Sequence, residues 1–319
     1  MKKLVATLAL AALSSAAFAQ NFPSKPLRLL IHFPPGGSTD IVGRIIAPPL
    51  SQRLGQPVIV ENRPGASGAI AAEIAAHAAP DGHTLLIAGT SSVLGLNEVM
   101  LPNMPYKVSE LTSITRLVTS PFIVAVNTNL LPVSNIRELI AALKAKPKQA
   151  YGSGGNGSGM HLAGEYFRLL SGADIFHVPY KGNGPAMSDL SGGQIPIAFV
   201  DLGSTGAYAK SDHVKVLAIA QKDRTAMAPN MPTSAESGLP GWEALGSFGL
   251  VTASATPRAI ITRLNKETTE VLLTPDVRTR ILATNNEPAP TSPEEYDAFI
   301  KSEVSKWTKV IKEANIKFD

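Results

Sequence analysis

Short apolar runs of strand type alternate with helical patterns along most of this chain, and that alternation restricts the fold more than any other feature. It calls for parallel sheets covered by helices. Residues 27–33, 58–61 and 84–88 read as strands, with helices over 41–54 and 69–79 between them. Gly55 and Pro57 end the first helix, and Pro80-Asp81-Gly82 stops the second. This series forms a first lobe. Residues 114–126 hold two short apolar runs broken at Ser120-Pro121, a break that marks a crossing into a second lobe. There the alternation resumes. Helix 136–144, a strand ending at Ala150-Tyr151, helix 160–170, strand 175–178, a helix with Pro185 at its first position and strand 195–200 follow in turn. Residues 214–220 form the return strand, 247–252 a strand of the first lobe again, and Pro257 opens a helix to Leu273. The last helix, 293–316, carries an apolar stripe through Tyr296, Ile300, Trp307 and Ile311. A chain that leaves a lobe and returns crosses at least twice, and two crossings make a hinge. The expected fold class is α/β with two lobes: residues 20–120 with 223–319, and residues 121–222.

The first residues carry an address. Lys2 and Lys3 precede an apolar run over 4–13 interrupted only by Thr7, and Ala17-Phe18-Ala19 supplies a small-x-small cleavage pattern. Residues 1–19 are therefore expected to be a cleaved export signal, with the mature chain starting at Gln20. The run is shorter than the ~20 apolar residues of a membrane span. The chain has no cysteine, so no lipid-anchored Cys follows the cleavage site and no disulfide or thiolate metal site forms. The formal charge of +4 falls to +2 without Lys2 and Lys3 (4 − 2), and the remaining basic residues are scattered. No nucleic-acid footprint results.

Four strands end in glycine- and hydroxyl-rich loops: Pro34-Pro35-Gly36-Gly37-Ser38-Thr39-Asp40, Gly89-Thr90-Ser91-Ser92, Gly152-Ser153-Gly154-Gly155-Asn156-Gly157-Ser158-Gly159 and Tyr180-Lys181-Gly182-Asn183-Gly184. Any one of them serves as an ordinary turn or cap. Four, two per lobe, point to a shared ligand at the carboxyl ends of the strands. The candidate ligand-binding residues are Pro35, Gly36, Gly37, Ser38, Thr39, Thr90, Ser91, Ser153, Gly154, Asn156, Gly157 and Ser158, with His161 on the helix behind the third loop and Asp201 at a strand end. The first three loops contain no Lys or Arg, and Lys181 is the sole cation of the fourth. An anion would then be held by main-chain N–H groups, hydroxyls and helix N-termini. Hydrogen bonds to a charged group contribute ~1.5–3 kcal/mol each. Four or five of them support micromolar binding, ~8 kcal/mol, after entropic costs. A compact mono- or dicarboxylate suits such a site better than a phosphate or tricarboxylate.

Other signals carry less. Gly152-x-Gly154-x-x-Gly157 has the spacing of a dinucleotide fingerprint, but the acid expected at the end of the next strand is absent, and Asp174 stands at its start. No Gly-x-Ser-x-Gly elbow and no His-Glu-x-x-His helix occurs. His161 and Glu165 share a helix face, and two ligands do not make a metal site. Asp201 either faces the cleft, accepting a ligand's ammonium or hydroxyl, or caps the next turn. No catalysis, cofactor or metal is expected.

The motifs have a joint order. Pro23-Ser24-Lys25-Pro26-Leu27-Arg28, Phe33-Pro34-Pro35-Gly36-Gly37-Ser38-Thr39-Asp40, Glu61-Asn62-Arg63-Pro64-Gly65-Ala66, Pro80-Asp81-Gly82, Gly152-Ser153 through Gly157-Ser158 with His161-Leu162 and Glu165, and His177-Val178-Pro179-Tyr180-Lys181-Gly182 follow one another across the mature chain. In this the sequence resembles the Bug (TctC-type) periplasmic solute receptors of tripartite tricarboxylate transporters. The resemblance implies a Venus-flytrap fold of the type II binding-protein arrangement. It implies capture by the loop after the first strand and the Gly-Ser loop of the second lobe, partly through ordered water. It also implies a permease partner of one large and one small subunit, driven by an ion gradient. Val200, inserted before Asp201, and His32 depart from the family pattern. Expected partners are thus a small carboxylate, with aromatic acids and amino acids in the family's range, and the permease, with the receptor a monomer. A sensor kinase as partner is the alternative reading, and a periplasmic enzyme a more distant one.

Overall fold

The computed structural model describes residues 22–33, 35–36, 38–90, 92–100, 103–208, 211–225 and 227–316. The export-signal expectation for residues 1–19 and the candidates Gly37 and Ser91 lie outside the described residues. The first elements are β1 (Leu27–Ile31), α1 (Ser38–Leu54), β2 (Val58–Asn62), α2 (Ala69–Ala76), β3 (Thr84–Gly89), a short α3 (Asn97–Met100) and the long β4 (Leu111–Asn127). Then come α4 (Ile136–Ala145), β5 (Gln149–Ser153), α5 (Gly159–Ser171), β6 (Ile175–Pro179), α6 (Asn183–Ser191), β7 (Ile197–Asp201) and β8 (Val214–Ile219). The chain closes with β9 (Leu245–Ala253), α7 (Arg258–Leu273), α8 (Pro275–Leu282), β10 (Glu287–Pro288) and α9 (Pro293–Ala314).

The strand order is β2-β1-β3-β9-β4-β7-β5-β6, with β8 and β10 also pairing to β4. β1, β2 and β3 are parallel to one another, as are β5, β6 and β7. β4 and β9 run antiparallel between the two sets. Two expectations are corrected here. Residues 114–126 are not two strands broken at Ser120-Pro121 but part of one strand. What changes there is the partner: up to Pro121 the strand pairs with β9, and from Phe122 it pairs with β7 and β8. Pro185 does not open its helix either; it is the third residue of α6, still within the first turn, where its missing N–H has no intrahelical acceptor to lose. Helix α8 was not expected. Its buried face is only Val277 and Ile281, too short a stripe to stand out from a charged segment.

Each half has its own apolar core on both faces of its sheet. One side of the first half buries Leu29, Ile31, Ile46, Leu50 and Leu264; the other buries Leu30, Ala72, Leu86 and Tyr296. In the second half Tyr151, Phe167, Phe199 and Trp242 form an aromatic cluster, with Phe167 and Phe199 each edge-on to Trp242. The tail of the return segment belongs with this cluster: Trp242 is fully buried there, its indole N–H donates to Ala163 O at 2.9 Å, and Ala244 N–H bonds Ala220 O. Helix α9 serves both cores. Tyr296 and Ile300 pack into the first half, and Trp307, Val310 and Ile311 into the second.

This topology aims the strand ends at one place. β3 ends at Gly89, opposite Phe248 near the start of β9, and Leu245 opposes Pro121. β7 ends at Asp201, opposite Phe122. β1 is parallel to β3, and β5 to β7, so the carboxyl ends of both parallel sets face the crossing at Pro121–Phe122. Phe122 itself fixes that junction. A Cβ built on Gly159, the first residue of α5, or on Gly246 of β9 would stand 2.8 Å from its ring.

Candidate functional site

The loop after β1 is organised by Asp40. Its carboxylate accepts Gly36 N–H at 2.9 Å, Asn62 Nδ2–H at 2.9 Å and Arg44 Nε–H at 3.0 Å, while Asn62 also donates to Phe33 O. Burial opposes the charge, but these donors outweigh it and hold the Asp40 pKa below the usual carboxylate value. Asp40 is thus spent on loop geometry. Gly36 takes φ +87°, a left-handed conformation that favours glycine, and Pro35 beside it is exposed. Thr39 is buried, and its hydroxyl has no partner among the described residues. Beneath the loop, His32 is buried. Its Nδ1 lies 2.9 Å from Ile87 O, which can only accept, so Nδ1 carries the proton. Burial, only partly offset by that bond, lowers its pKa to about 4, and the ring is neutral.

The loop after β5 is organised by neutral imidazoles. His161 and His177 stack with centroids 3.8 Å apart and planes 12° apart. Gly157 N–H donates to His161 Nδ1 at 3.1 Å, which requires that nitrogen to be unprotonated. His177 Nε2 and Ser153 Oγ share a 2.7 Å hydrogen bond. Burial, and then the neighbouring His161, push the His177 pKa down to about 3; burial also lowers that of His161, against the pull of Glu165. Ser158 is the N-cap of α5, its Oγ accepting His161 N–H at 3.1 Å. Asn156 is exposed at the tip, and Gly157 has φ +71°.

These bonds revise what the site offers. The amides of Gly36, Gly155, Gly157 and Ser158 are all taken within their own loops, so the expected clasp of main-chain N–H groups is not available at those residues. Hydroxyls remain. Ser38 Oγ accepts Asn286 Nδ2–H at 2.9 Å and Ser158 Oγ accepts His161 N–H, so each hydroxyl keeps its one proton to donate. The N-termini of α1 and α5 lie directly behind these serines.

The remaining candidates divide. Thr90 is buried, and its hydroxyl bonds Ser247 Oγ at 2.6 Å and Tyr296 OH at 3.0 Å, tying β3 to β9 and α9. Ser153 is fully buried against His177. Asp201 caps the next turn: Oδ1 accepts Ser204 N–H and Oγ–H, and Oδ2 accepts Asn183 Nδ2–H. Of the two readings open in the sequence, the capping one describes its bonds. The two halves meet beside it. A Cβ on Gly203 would lie 3.0 Å from Asp201 Oδ1, 3.3 Å from Asn285 Cβ and 3.6 Å from Thr284 O. A Cβ on Gly154 would lie 2.5 Å from Asn183 Oδ1. A continuous path of contacts thus runs from Gly154 through Asn183, Asp201 and Gly203 to the 284–286 turn and Ser38. That turn was not anticipated. Asn286 stands 248 residues from Ser38, and no local pattern marks it.

Two α/β halves joined by crossing strands, with both sets of strand ends turned to the junction, define a two-lobed periplasmic binding protein. The chain belongs to the tripartite tricarboxylate transporter receptor family, TctC, whose model matches residues 42–316. It is a solute-binding receptor and not an enzyme. Protein BugT of Bordetella pertussis is 35% identical over 97% of this chain and 95% of its own. A solved structure described as a periplasmic transporter is 36% identical, with TM-score 0.79 over 93% of this chain and 100% of that one. An R. palustris protein solved with adipate is 30% identical, with TM-score 0.80 over 93% and 99%. MatC from Rhodopseudomonas palustris, solved with bound malate, is 28% identical, with TM-score 0.75 over 91% and 100%. Among the described residues no helix is long and apolar enough to cross a membrane, and no cluster of three potential metal ligands occurs.

Proposed function

We propose that this receptor captures a small carboxylate between its halves in the periplasm and delivers it to a permease of one large and one small subunit. The observation that carries the reading is the pair of serine hydroxyls, Ser38 and Ser158. Each lies at a helix N-terminus in a different half, and each is left by its internal bond with a proton to give. Such donors suit a carboxylate, and no Lys or Arg is needed. Relatives solved with adipate and with malate support the ligand class. For the second lobe, expected over residues 121–222, the bonds of Trp242 and Ala244 favour extending it from 122 to 244, with α9 packing on both halves. Thermal shift of the mature chain with a panel of mono- and dicarboxylates tests the reading. A ligand held only by the folded state raises the melting temperature. No stabilisation by any carboxylate, or binding insensitive to Ser38→Ala and Ser158→Ala, overturns it.

A further inference from the structure

Two buried amide oxygens stand without a partner where the halves meet, and what the other end of each amide does fixes their chemistry. Asn183 Nδ2 donates to Asp201 Oδ2, a carboxylate oxygen that can only accept, so the atom facing away from Asp201 is the carbonyl Oδ1. Asn286 Nδ2 lies 3.1 Å from Thr284 O, again an acceptor only, and also 2.9 Å from Ser38 Oγ and 2.9 Å from Thr284 Oγ1. Its Oδ1 is therefore the free end. Asn286 is 2% exposed, and neither Oδ1 has a hydrogen-bond partner. An amide oxygen buried without a donor is costly, and one such group stands in each half. Asn183 is the first residue of α6 in the second half, and Asn286 comes from the turn before β10 in the first. A Cβ on Gly203 would touch Asp201, the partner of Asn183, and Asn285, the chain neighbour of Asn286, while Asn183 Oδ1 itself lies beside Gly154 of the loop after β5.

We infer that Asn183 and Asn286 form an acceptor pair that selects a carboxylate bearing its own hydrogen-bond donor, a hydroxyl or ammonium on the carbon chain, over the unsubstituted acid. The inference rests on the carboxylate reading above and adds the second half of the recognition. Ser38 and Ser158 give protons to the carboxylate, and the two amide oxygens receive protons from the rest of the ligand. Asn286 links the two tasks, since the same side chain that turns the Ser38 hydroxyl toward an anion presents the acceptor. A ligand without a donor leaves both oxygens unpaired after the halves close, and a site built to hydrogen-bond an OH or NH group discriminates against the analogue lacking it. Because both acceptors are neutral, a hydroxyl suffices. The negative charge of Asp201 beside Asn183 is what an ammonium would add to the attraction.

The test is calorimetric titration of the mature chain with succinate, malate and aspartate, three acids of one chain length that differ in the donor. Wild-type protein is expected to bind malate or aspartate at least tenfold more tightly than succinate, and whichever is preferred identifies the donor as hydroxyl or ammonium. Asn286→Ala and, independently, Asn183→Ala are expected to shrink that ratio to threefold or less, whereas Ser158→Ala weakens all three acids alike. Equal affinity of the wild type for the three acids overturns the inference while leaving the carboxylate reading intact. So does a ratio that survives in both asparagine variants. Absence of binding to these and to every acid of the carboxylate panel overturns both. Should Asn286→Ala fail to fold, the wild-type ratio and the Asn183→Ala variant still decide.

Discussion

The loop at 33–40 is held in place by a charge, the loop at 153–161 by two uncharged rings. In the first, the Asp40 carboxylate gathers Gly36, Asn62 and Arg44 around itself. In the second, His161 accepts from Gly157, His177 bonds Ser153, and the rings stack. Both arrangements leave a serine at a helix N-terminus with its proton free. The difference teaches that a glycine- and serine-rich loop can use its main-chain amides for its own shape and still offer a hydroxyl. Here the amides of Gly36, Gly155, Gly157 and Ser158 are consumed in shaping the loops, and in the proposed site the hydroxyls and helix ends are the donors.

The largest expected effect is at Asp40. Arg44 is half exposed, so its ion pair contributes little. The shielded bonds from Gly36 and Asn62 matter more, since hydrogen bonds to a charged group are worth ~1.5–3 kcal/mol each. Asp40→Asn should lower stability by about 3 kcal/mol in urea unfolding and weaken carboxylate binding as Ser38 loses its position. A loss below about 0.5 kcal/mol, the range of ordinary surface substitutions, would show that the first loop does not depend on the charge.

The next effect is in pH. His161 and His177 have folded-state pKa values below the ordinary imidazole value, His177 at about 3. The folded state therefore holds fewer protons than the unfolded one below pH ~6.5, and stability is complete above that pH and falls as the solution is acidified toward 3. Asp40 behaves differently. Its stabilisation is present above the ordinary carboxylate pKa of ~3.9 and is lost only as pH falls through its depressed value. Between pH 6.5 and 5 the imidazoles of the unfolded chain take up protons that the folded state refuses, and Asp40 stays ionised. Stability is expected to drop across that window by about 2 kcal/mol for a histidine as perturbed as His177. Buried His32, with a pKa of about 4, adds a term from the first half. His177→Gln should flatten the slope by about one proton, and Asp40→Asn should leave it unchanged. If the two variants exchange these behaviours, the contrast between the loops is wrong.

Much of this was legible in sequence, for a physical reason. Strand runs such as 84–88 and helices such as 136–144 are local patterns of apolar spacing, and glycine with hydroxyl residues after a strand marks a loop that approaches something closely. What the sequence concealed depends on distant partners. Nothing near Ser120-Pro121 says that β4 continues while its neighbours change, because a proline break and a change of pairing look the same in one dimension. Nothing local says that Gly157 N–H would be taken by His161 Nδ1, or that Asn286 would reach Ser38. Asp201 showed the limit most plainly: an acid at a strand end fits a cap and a ligand contact equally, and only Ser204 and Asn183 decide which bonds it makes.

The smallest effect separates the two serines. Ser158 caps α5 and keeps its proton to donate, whereas Ser38 accepts from Asn286 and makes no capping bond among the described residues. Ser158→Ala should therefore cost about 1 kcal/mol of stability, the usual price of an N-cap. Ser38→Ala should cost less than about 0.5 kcal/mol, because Asn286 Nδ2 keeps Thr284 as acceptor. Both should weaken carboxylate binding by a similar factor, about tenfold for a charge-assisted bond at the low end of its range. Urea midpoints and titrations on the same two variants give the comparison directly. Equal affinity losses with unequal stability losses mean that one donor is contributed from each half and that only the second loop couples binding to folding. If instead the affinity loss tracks the stability loss, Ser158 acts through the helix alone, and the anion is held by α5 rather than by its cap.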